Sequence, residues 1–240
     1  MKLFVTDYDD TLYISDISIK ENIKKLKELR NTDFKVIIAT GRSYPSIKTQ
    51  VNLYQIPYDY LACADGSVIY DNQGNIIYYE CLDTKIINEF KKFYDKLNYE
   101  EIQFSYPEGY LNILQKNNNK LLGINVCIST KLYNDNIVKD FLKLKKKYPN
   151  YNYLCYMHTN FSYLCIKPIN IDKAFAISIL QKRLNINDSD IYVIGDSSND
   201  TQMIKKYHGV GMNNSANEIL DIADKTYQEV SDYIIDILEN

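Results

Sequence analysis

Four short apolar runs, each ending at a residue able to do polar chemistry, constrain this chain more than any other feature. Lys2–Thr6 leads into Asp7 and Asp9, Phe34–Ala39 into Thr40, Tyr60–Cys63 into Asp65, and Ile191–Ile194, through Gly195, into Asp196. Runs of this length read as strands, and near-continuous hydrophobicity reads as burial on both faces. Between the first two, Ile19, Ile23, Leu26 and Leu29 recur at helical spacing behind Ser18-Ile-Lys-Glu21, which has the form of a capping box. Helices are also expected near 45–54, from Asp172 to Leu184, near 216–223 and near 231–238. Strands alternating with helices predict an α/β fold with an open parallel sheet. Ligands of such sheets sit at the carboxyl ends of the strands, which is where all four polar clusters fall.

The rhythm is interrupted. After a hairpin turned at Asp71-Asn-Gln-Gly74, the segment from about 83 to 167 reads as helix, strands near 101–105, 109–114 and 121–129, a Lys-rich helix over 134–147, and strands near 153–158 and 163–167. This is an α+β insert. We place the core at 1–82 and 168–240 and the insert at 83–167. Asn117–Asn119 reads as a turn. The segment Ser105-Tyr-Pro-Glu-Gly-Tyr110 reads either as a plain β-turn or as a substrate-facing loop with aromatic rings and a carboxylate.

Composition narrows the function. The 240 residues are 45% hydrophobic and 25% charged, as in ordinary globular proteins, and the formal charge of −3 lacks the basic excess of a nucleic-acid binder. The N-terminal apolar run is broken by Asp7, Asp9 and Asp10, and no stretch approaches the ~20 apolar residues that span a bilayer. We therefore expect a cytoplasmic protein with no membrane or nucleic-acid partner and no evident obligate protein partner. The five scattered cysteines suit reduced thiols. Cys155, His158 and Cys165 are irregularly spaced and lack a fourth ligand, which argues against zinc. Lys143, Lys145, Lys146 and Lys147 read as a solvated helix face.

The clusters suggest a chemistry. In extended chain Asp7 and Asp9 face the same way, so both reach one site. Two adjacent carboxylates repel, and a hard divalent cation such as Mg²⁺ would neutralise them. Thr40-Gly41 offers a hydroxyl and an unobstructed N–H suited to a phosphate oxygen. Lys173 opens a helix, where a cation opposes the helix dipole. Asp200 stands one turn beyond Asp196. Taken singly, each cluster has an ordinary reading as well: a solvated turn, a surface lysine, a polar loop.

Together they resemble the four motifs, in order, of the haloacid dehalogenase superfamily of phosphohydrolases. Asp7-Tyr8-Asp9-Asp10-Thr11, followed by Leu12, resembles its Asp-x-Asp-x-Thr. Thr40, within Ala39-Thr-Gly-Arg42, resembles the second motif in its Cof-type (subfamily IIB) form. Lys173 stands as the third motif and Gly195-Asp-Ser-Ser-Asn-Asp200 as the fourth. Pro168-Ile-Asn170-Ile171-Asp-Lys173-Ala174 is similar to the branch's Pro-x-Gly-Val-x-Lys-Gly, with Asn170, which tolerates positive φ, in place of a Gly. Met212-Asn213-Asn214-Ser215 stands where the family has Met-Gly-Asn-Ala, and Asp65-Gly66 where it has Asn-Gly, which adds a charge.

The resemblance implies a Rossmann-like core with an inserted cap, and a Mg²⁺-dependent phosphatase acting on small phosphorylated metabolites through an aspartyl phosphate. By the same resemblance Asp7 is the nucleophile and Asp9 the acid and base. Mg²⁺ is bound by Asp7, the main-chain carbonyl of Asp9, Asp196 and Asp200. Thr40, Gly41 and Lys173 hold the phosphoryl group, and Asn199 orients the phosphate or Lys173. Thr11 caps the turn, and Arg42 pairs with an acidic neighbour. A sugar phosphomutase of related fold would use the same Asp7 and is the alternative. A non-catalytic regulator would lack an acid or a nucleophile, and both are present.

Overall fold

A computed structural model describes residues 1–97, 99–112, 114, 120–131, 134–157 and 160–239, with the main chain alone for 156, 157 and 161. In chain order the first part carries β1 (Lys2–Thr6), α1 (Ser18–Arg30), β2 (Phe34–Ala39), α2 (Tyr44–Tyr54), β3 (Tyr60–Cys63), β4 (Val68–Asp71) and β5 (Ile76–Tyr79). The middle carries α3 (Thr84–Tyr94), β6 (Glu101–Tyr106), β7 (Gly109–Leu111), β8 (Gly123–Ser129), α4 (Asp135–Lys147), β9 (Tyr151–Met157) and β10 (Phe161–Pro168). The last part carries α5 (Lys173–Leu184), β11 (Ile191–Gly195), α6 (Thr201–Tyr207), β12 (Val210–Met212), α7 (Asn217–Leu220), β13 (Thr226–Tyr227) and α8 (Val230–Glu239). The chain divides into two compact units, Met1–Tyr78 with Asp172–Asn240, and Tyr79–Ile171.

The first unit is built on an eight-stranded sheet of order β13-β12-β11-β1-β2-β3-β4-β5. Its pairs from β13 to β3 are parallel, and β3 with β4 is antiparallel. Both faces of β1 are buried, which explains its unbroken hydrophobicity. Leu3 and Val5 pack with Ile177 and Leu180 of α5 and Met203 and Ile204 of α6. Phe4 turns the other way, its ring 5.8 Å from that of Tyr233 in α8. The connections run one way from β1 to β2 and β3 and the other way from β11 to β12 and β13. The β1–β11 boundary is therefore the switch point of the sheet, the place where open α/β sheets form their crevice.

Local chemistry sets the helix ends. The expected capping box at Ser18–Glu21 is absent. Ser18 is already inside α1, and its partner is Ser15: Ser15 Oγ accepts from Ser18 N at 3.1 Å, and Ser18 Oγ accepts from Ser15 N at 3.0 Å. Buried Asn22 then ties α1 to α8, donating to the carbonyl of Leu12 at 3.0 Å and accepting from Ser231 N at 2.8 Å. Two elements escaped the sequence reading. α6 follows a polar loop without a break in polarity, and β13 is two residues long.

The second unit is a five-stranded antiparallel sheet of order β7-β6-β8-β10-β9. Alternate residues Ile102, Phe104, Ile124, Val126, Leu164 and Ile166 form one apolar cluster with Phe90 of α3 and Phe141 of α4. Asp83 and Asn134 cap those helices through their side-chain oxygens. Tyr106 and Gly109 pair across the β6–β7 hairpin, so Pro107-Glu108 is its turn. Tyr106 is 2% exposed in the apolar cluster, which removes it as a substrate-facing ring. Cys155 lies opposite Leu164 and Cys165 opposite Leu154, so the two thiols point to opposite faces of the sheet. The expected turn at 117–119 and His158 lie outside the described residues.

Asp59, just before β3, closes the first sheet at its amino end. Its buried carboxylate accepts from Arg30 Nε and Nη2 at 3.1 and 3.0 Å, Lys35 Nζ at 3.1 Å and Val36 N at 2.9 Å. Burial alone would raise its pKa, but these donors outweigh it and hold the carboxyl below its ordinary value. A depressed folded-state pKa stabilises the fold above the unfolded value near 4, and that contribution fades as pH falls through the folded one. Asp59→Asn should thus cost about 1–3 kcal/mol at neutral pH. The difference from wild type should shrink on acidification below pH ~4. Urea unfolding of both proteins across pH checks this; a difference constant with pH would refute the assignment.

Candidate active site

Four adjacent strands deliver the candidate residues. Asp7 follows β1, Thr40 follows β2, Asp65 follows β3 and Asp196 follows β11, and these strands are neighbours in the sheet. Asp7 continues the ladder through its N–H to the carbonyl of Ile194 at 3.1 Å, which fixes its main chain beside Asp196. Lys173 enters from α5. Asp172 caps that helix by accepting from Phe175 N at 2.7 Å, and Asn170 supports the approach with φ of 60°.

The centre of the site is an ion cluster. Lys173 Nζ donates to Asp7 Oδ1 and to Asp200 Oδ1, each at 2.6 Å. Lys173 and Asp200 are fully buried, and the Asp7 side chain is 7% exposed. The other oxygen of Asp200 accepts from the N–H groups of Asp196 and Ser197, both at 3.1 Å. Gly195 makes this possible: a Cβ there would fall 2.4 Å from Asp200 Cγ. Thr11 Oγ1 donates to Asp196 Oδ1 at 2.6 Å, so this threonine, expected only to cap the turn, aims a carboxylate. Oxygens of Asp7, Asp196 and Asp200 lie within 4.8 Å of one another. An all-oxygen, all-carboxylate donor set fits a hard divalent cation.

Electrostatics point the same way. Burial pushes the Asp7 carboxyl above its ordinary range, and the charge of Asp200 pushes with it, against the pull of Lys173. Asp196 is also raised, first by burial and then by Asp200. Burial alone would lower the pKa of Lys173, but the charges of Asp7 and Asp200 outweigh it and raise the ammonium above its usual range. Three carboxylates against one ammonium leave the cluster short of positive charge.

Thr40 is fully buried, and its Oγ1 accepts from Arg42 N at 3.1 Å. Asn199 turns to Asp65, donating to Oδ1 at 3.0 Å, rather than to Lys173. A Cβ on Gly41 would come 2.9 Å from that same Asp65 oxygen, so the bare glycine admits the pair. Asp9 does not follow the extended-chain argument. β1 ends at Thr6, and Asp9 sits in a turn whose next residue, Asp10, has φ of 56°. Its carboxylate meets Arg42, with Nη2 2.6 Å from Oδ1.

The family model of haloacid dehalogenase-like hydrolases matches residues 4–233. The chain belongs to that family. It is an enzyme of the phosphatase type of hydrolase. A 5-amino-6-(5-phospho-D-ribitylamino)uracil phosphatase of Bacillus subtilis is 25% identical over 93% of this chain and 88% of its own. A haloacid dehalogenase-like hydrolase from Bacteroides thetaiotaomicron has the same fold, with a TM-score of 0.79 at 18% identity over 98% of this chain and 99% of its own. A HAD/COF-like hydrolase from Plasmodium vivax superposes with a TM-score of 0.76 at 20% identity, covering 100% and 96%. Among the described residues, no helix is long and apolar enough to cross a membrane.

Removing the buried ammonium tests the cluster. Lys173→Met leaves Asp7 and Asp200 facing each other without a counter-charge. Breaking a buried pair this way should cost roughly 3–5 kcal/mol. Denaturant unfolding in chelator should show that loss. Wild-type stability would mean that the three groups do not depend on one another.

Proposed function

We propose that this chain is a Mg²⁺-dependent phosphatase that hydrolyses monoesters of small phosphorylated metabolites, sugar and polyol phosphates among them, through an aspartyl phosphate on Asp7. The observation that carries the reading is the fully buried Lys173 bridging Asp7 and Asp200 beside Asp196, at the switch point of a parallel sheet. A structural ion pair has no need of three carboxylates around one ammonium. A site that receives a cation and a phosphoryl group does.

Lys173 holds one oxygen of Asp7 and leaves the other to attack phosphorus. As the Asp7–phosphorus bond forms, the bond to the leaving oxygen breaks, and Asp9 gives that oxygen a proton. Asp9 then takes a proton from water, the water oxygen bonds to phosphorus, and Asp7 is released with free phosphate. Thr40 and the N–H of Gly41 orient the phosphoryl oxygens, and Lys173 balances charge on Asp7 and phosphate alike. Thr11 and Gly195 hold Asp196 and Asp200 in place. Asp7, Asp196 and Asp200, with the main-chain carbonyl of Asp9, would hold Mg²⁺, which when bound neutralises charge on the carboxylates and the phosphoryl group. The core binds only what every phosphate ester shares, so choice of the organic part falls to the inserted unit. The substrate named for the Bacillus subtilis relative, a phosphorylated ribityl compound, supports the metabolite class.

Three measurements test the reading. Asp7→Asn should fold normally and release no phosphate from a panel of sugar, polyol and nucleotide phosphates. Turnover at the wild-type rate would reject Asp7 as nucleophile. A like-charge contact at 4 Å costs ~1 kcal/mol in bulk water and several times that inside a protein. Chelation should therefore abolish activity, and Mg²⁺ should restore it where Ca²⁺, with looser coordination, does so poorly. Mg²⁺ should also raise the melting temperature of wild type and raise that of Asp196→Asn far less. Full activity in excess chelator, or equal shifts in both proteins, would reject the metal assignment.

A further inference from the structure

We propose that Arg42 is a positioning residue for Asp9, acting through a two-pronged ion pair braced on the ring of Tyr8. The inference rests on the reading of Asp9 as acid and base. Asp9 stands in a turn with its side chain 50% exposed. Nothing in its own segment would hold such a carboxylate in one orientation. Arg42 does: Nε donates to Oδ2 at 2.8 Å and Nη2 to Oδ1 at 2.6 Å. A planar fork fixes both the direction and the rotation of a carboxylate, whereas the point charge of a lysine fixes neither.

The guanidinium is itself located. Its carbon lies 5.0 Å from the centroid of the Tyr8 ring, and Nη1 reaches Ser46 Oγ at 3.5 Å. Tyr8 is fully buried, and its hydroxyl donates to Gln50 Oε1 at 3.2 Å. Asp7, Tyr8 and Asp9 are consecutive, so one tripeptide supplies the nucleophile, the brace and the acid. Arg42 N–H donates to Thr40 Oγ1, so the segment Thr40–Arg42 serves the phosphoryl group with its first residue and Asp9 with its last.

An exposed ion pair of purely structural worth would contribute little to stability and nothing to rate. Positioning has a different signature. Proton transfer needs an Asp9 oxygen within about 2.6–3.2 Å of the leaving oxygen. A misplacement of ~1 Å can cost 10²-fold in rate. The effect should be greatest where the leaving group most needs the proton.

The test is a double-mutant cycle on wild type, Arg42→Ala, Asp9→Asn and the double variant, with an alkyl phosphate and an aryl phosphate, each protein checked by thermal unfolding. Arg42→Ala should lower kcat on the alkyl phosphate roughly 10- to 100-fold. It should lower turnover of the aryl phosphate less, move KM only a few-fold and barely shift the melting temperature. In the Asp9→Asn background, Arg42→Ala should cost nothing further. Arg42→Lys should recover only a small part of the loss, and it carries the same cycle if Arg42→Ala does not fold. Full alkyl-phosphate turnover in Arg42→Ala would overturn the proposal. So would losses that multiply in the double variant, since Arg42 would then act on substrate independently of Asp9. Wild-type turnover by Asp9→Asn alone would reject the acid–base reading itself, and that single variant tells the two failures apart.

Discussion

An ammonium sealed from water between two carboxylates is the interaction around which this molecule is arranged. Lys173 makes no contact with solvent, and neither does Asp200. Charges are buried only with partners, because an isolated ion in the interior costs far more than any fold has to spare. The cluster therefore requires each of its suppliers to be in place: β1 for Asp7, the cap of α5 for Lys173, and the loop after β11 for Asp200. The bare main chain of Gly195 and the N–H groups of Asp196 and Ser197 complete the shell. Such a cluster ties together segments that the apolar core alone would leave free to shift.

Much of this was legible in the sequence because the parallel core is written in contiguous runs. β1, β2, β3 and β11 are hydrophobic on consecutive residues, and each is followed by a polar residue of the candidate site. Asn170 announced a left-handed turn, and it has one. The failures have physical reasons too. Ser18-x-x-Glu21 has the letters of a capping box, but the chain could satisfy the same N–H groups with Ser15, and the sequence does not rank the two. The extended-chain argument for Asp9 assumed that β1 runs on past Thr6. The turn through Asp10 is set by contacts with Tyr13 and Arg42, which no local pattern announces. Asn199 was expected to orient the phosphate or Lys173. Its amide donates to Asp65, in the turn after β3 and 134 residues away in sequence, a partner no local pattern announces.

The sheet also separates two kinds of work. At its amino end the single buried carboxylate of Asp59 is met by donors of the fold itself, Arg30, Lys35 and the N–H of Val36. At its carboxyl end the carboxylates of Asp7, Asp196 and Asp200 gather around the ammonium of Lys173 alone. Cations outnumber carboxylates in the first cluster, and carboxylates outnumber cations in the second.

The strand order has a consequence for how the chain is made. β1 lies between β2 and β11, and β11 begins at Ile191. A nascent chain can pair β1 with β2 early, but the other edge of β1 stays open until β11 has been synthesised. At ordinary translation speeds that interval is roughly ten to forty seconds. Throughout it, Leu3, Phe4 and Val5 sit on an unprotected edge, the kind of edge that recruits strands from other chains. The edge of β1 is thus open to strands of other chains for as long as β11 has yet to arrive. Asp7, which closes β1, is complete as a residue long before any of its partners exists.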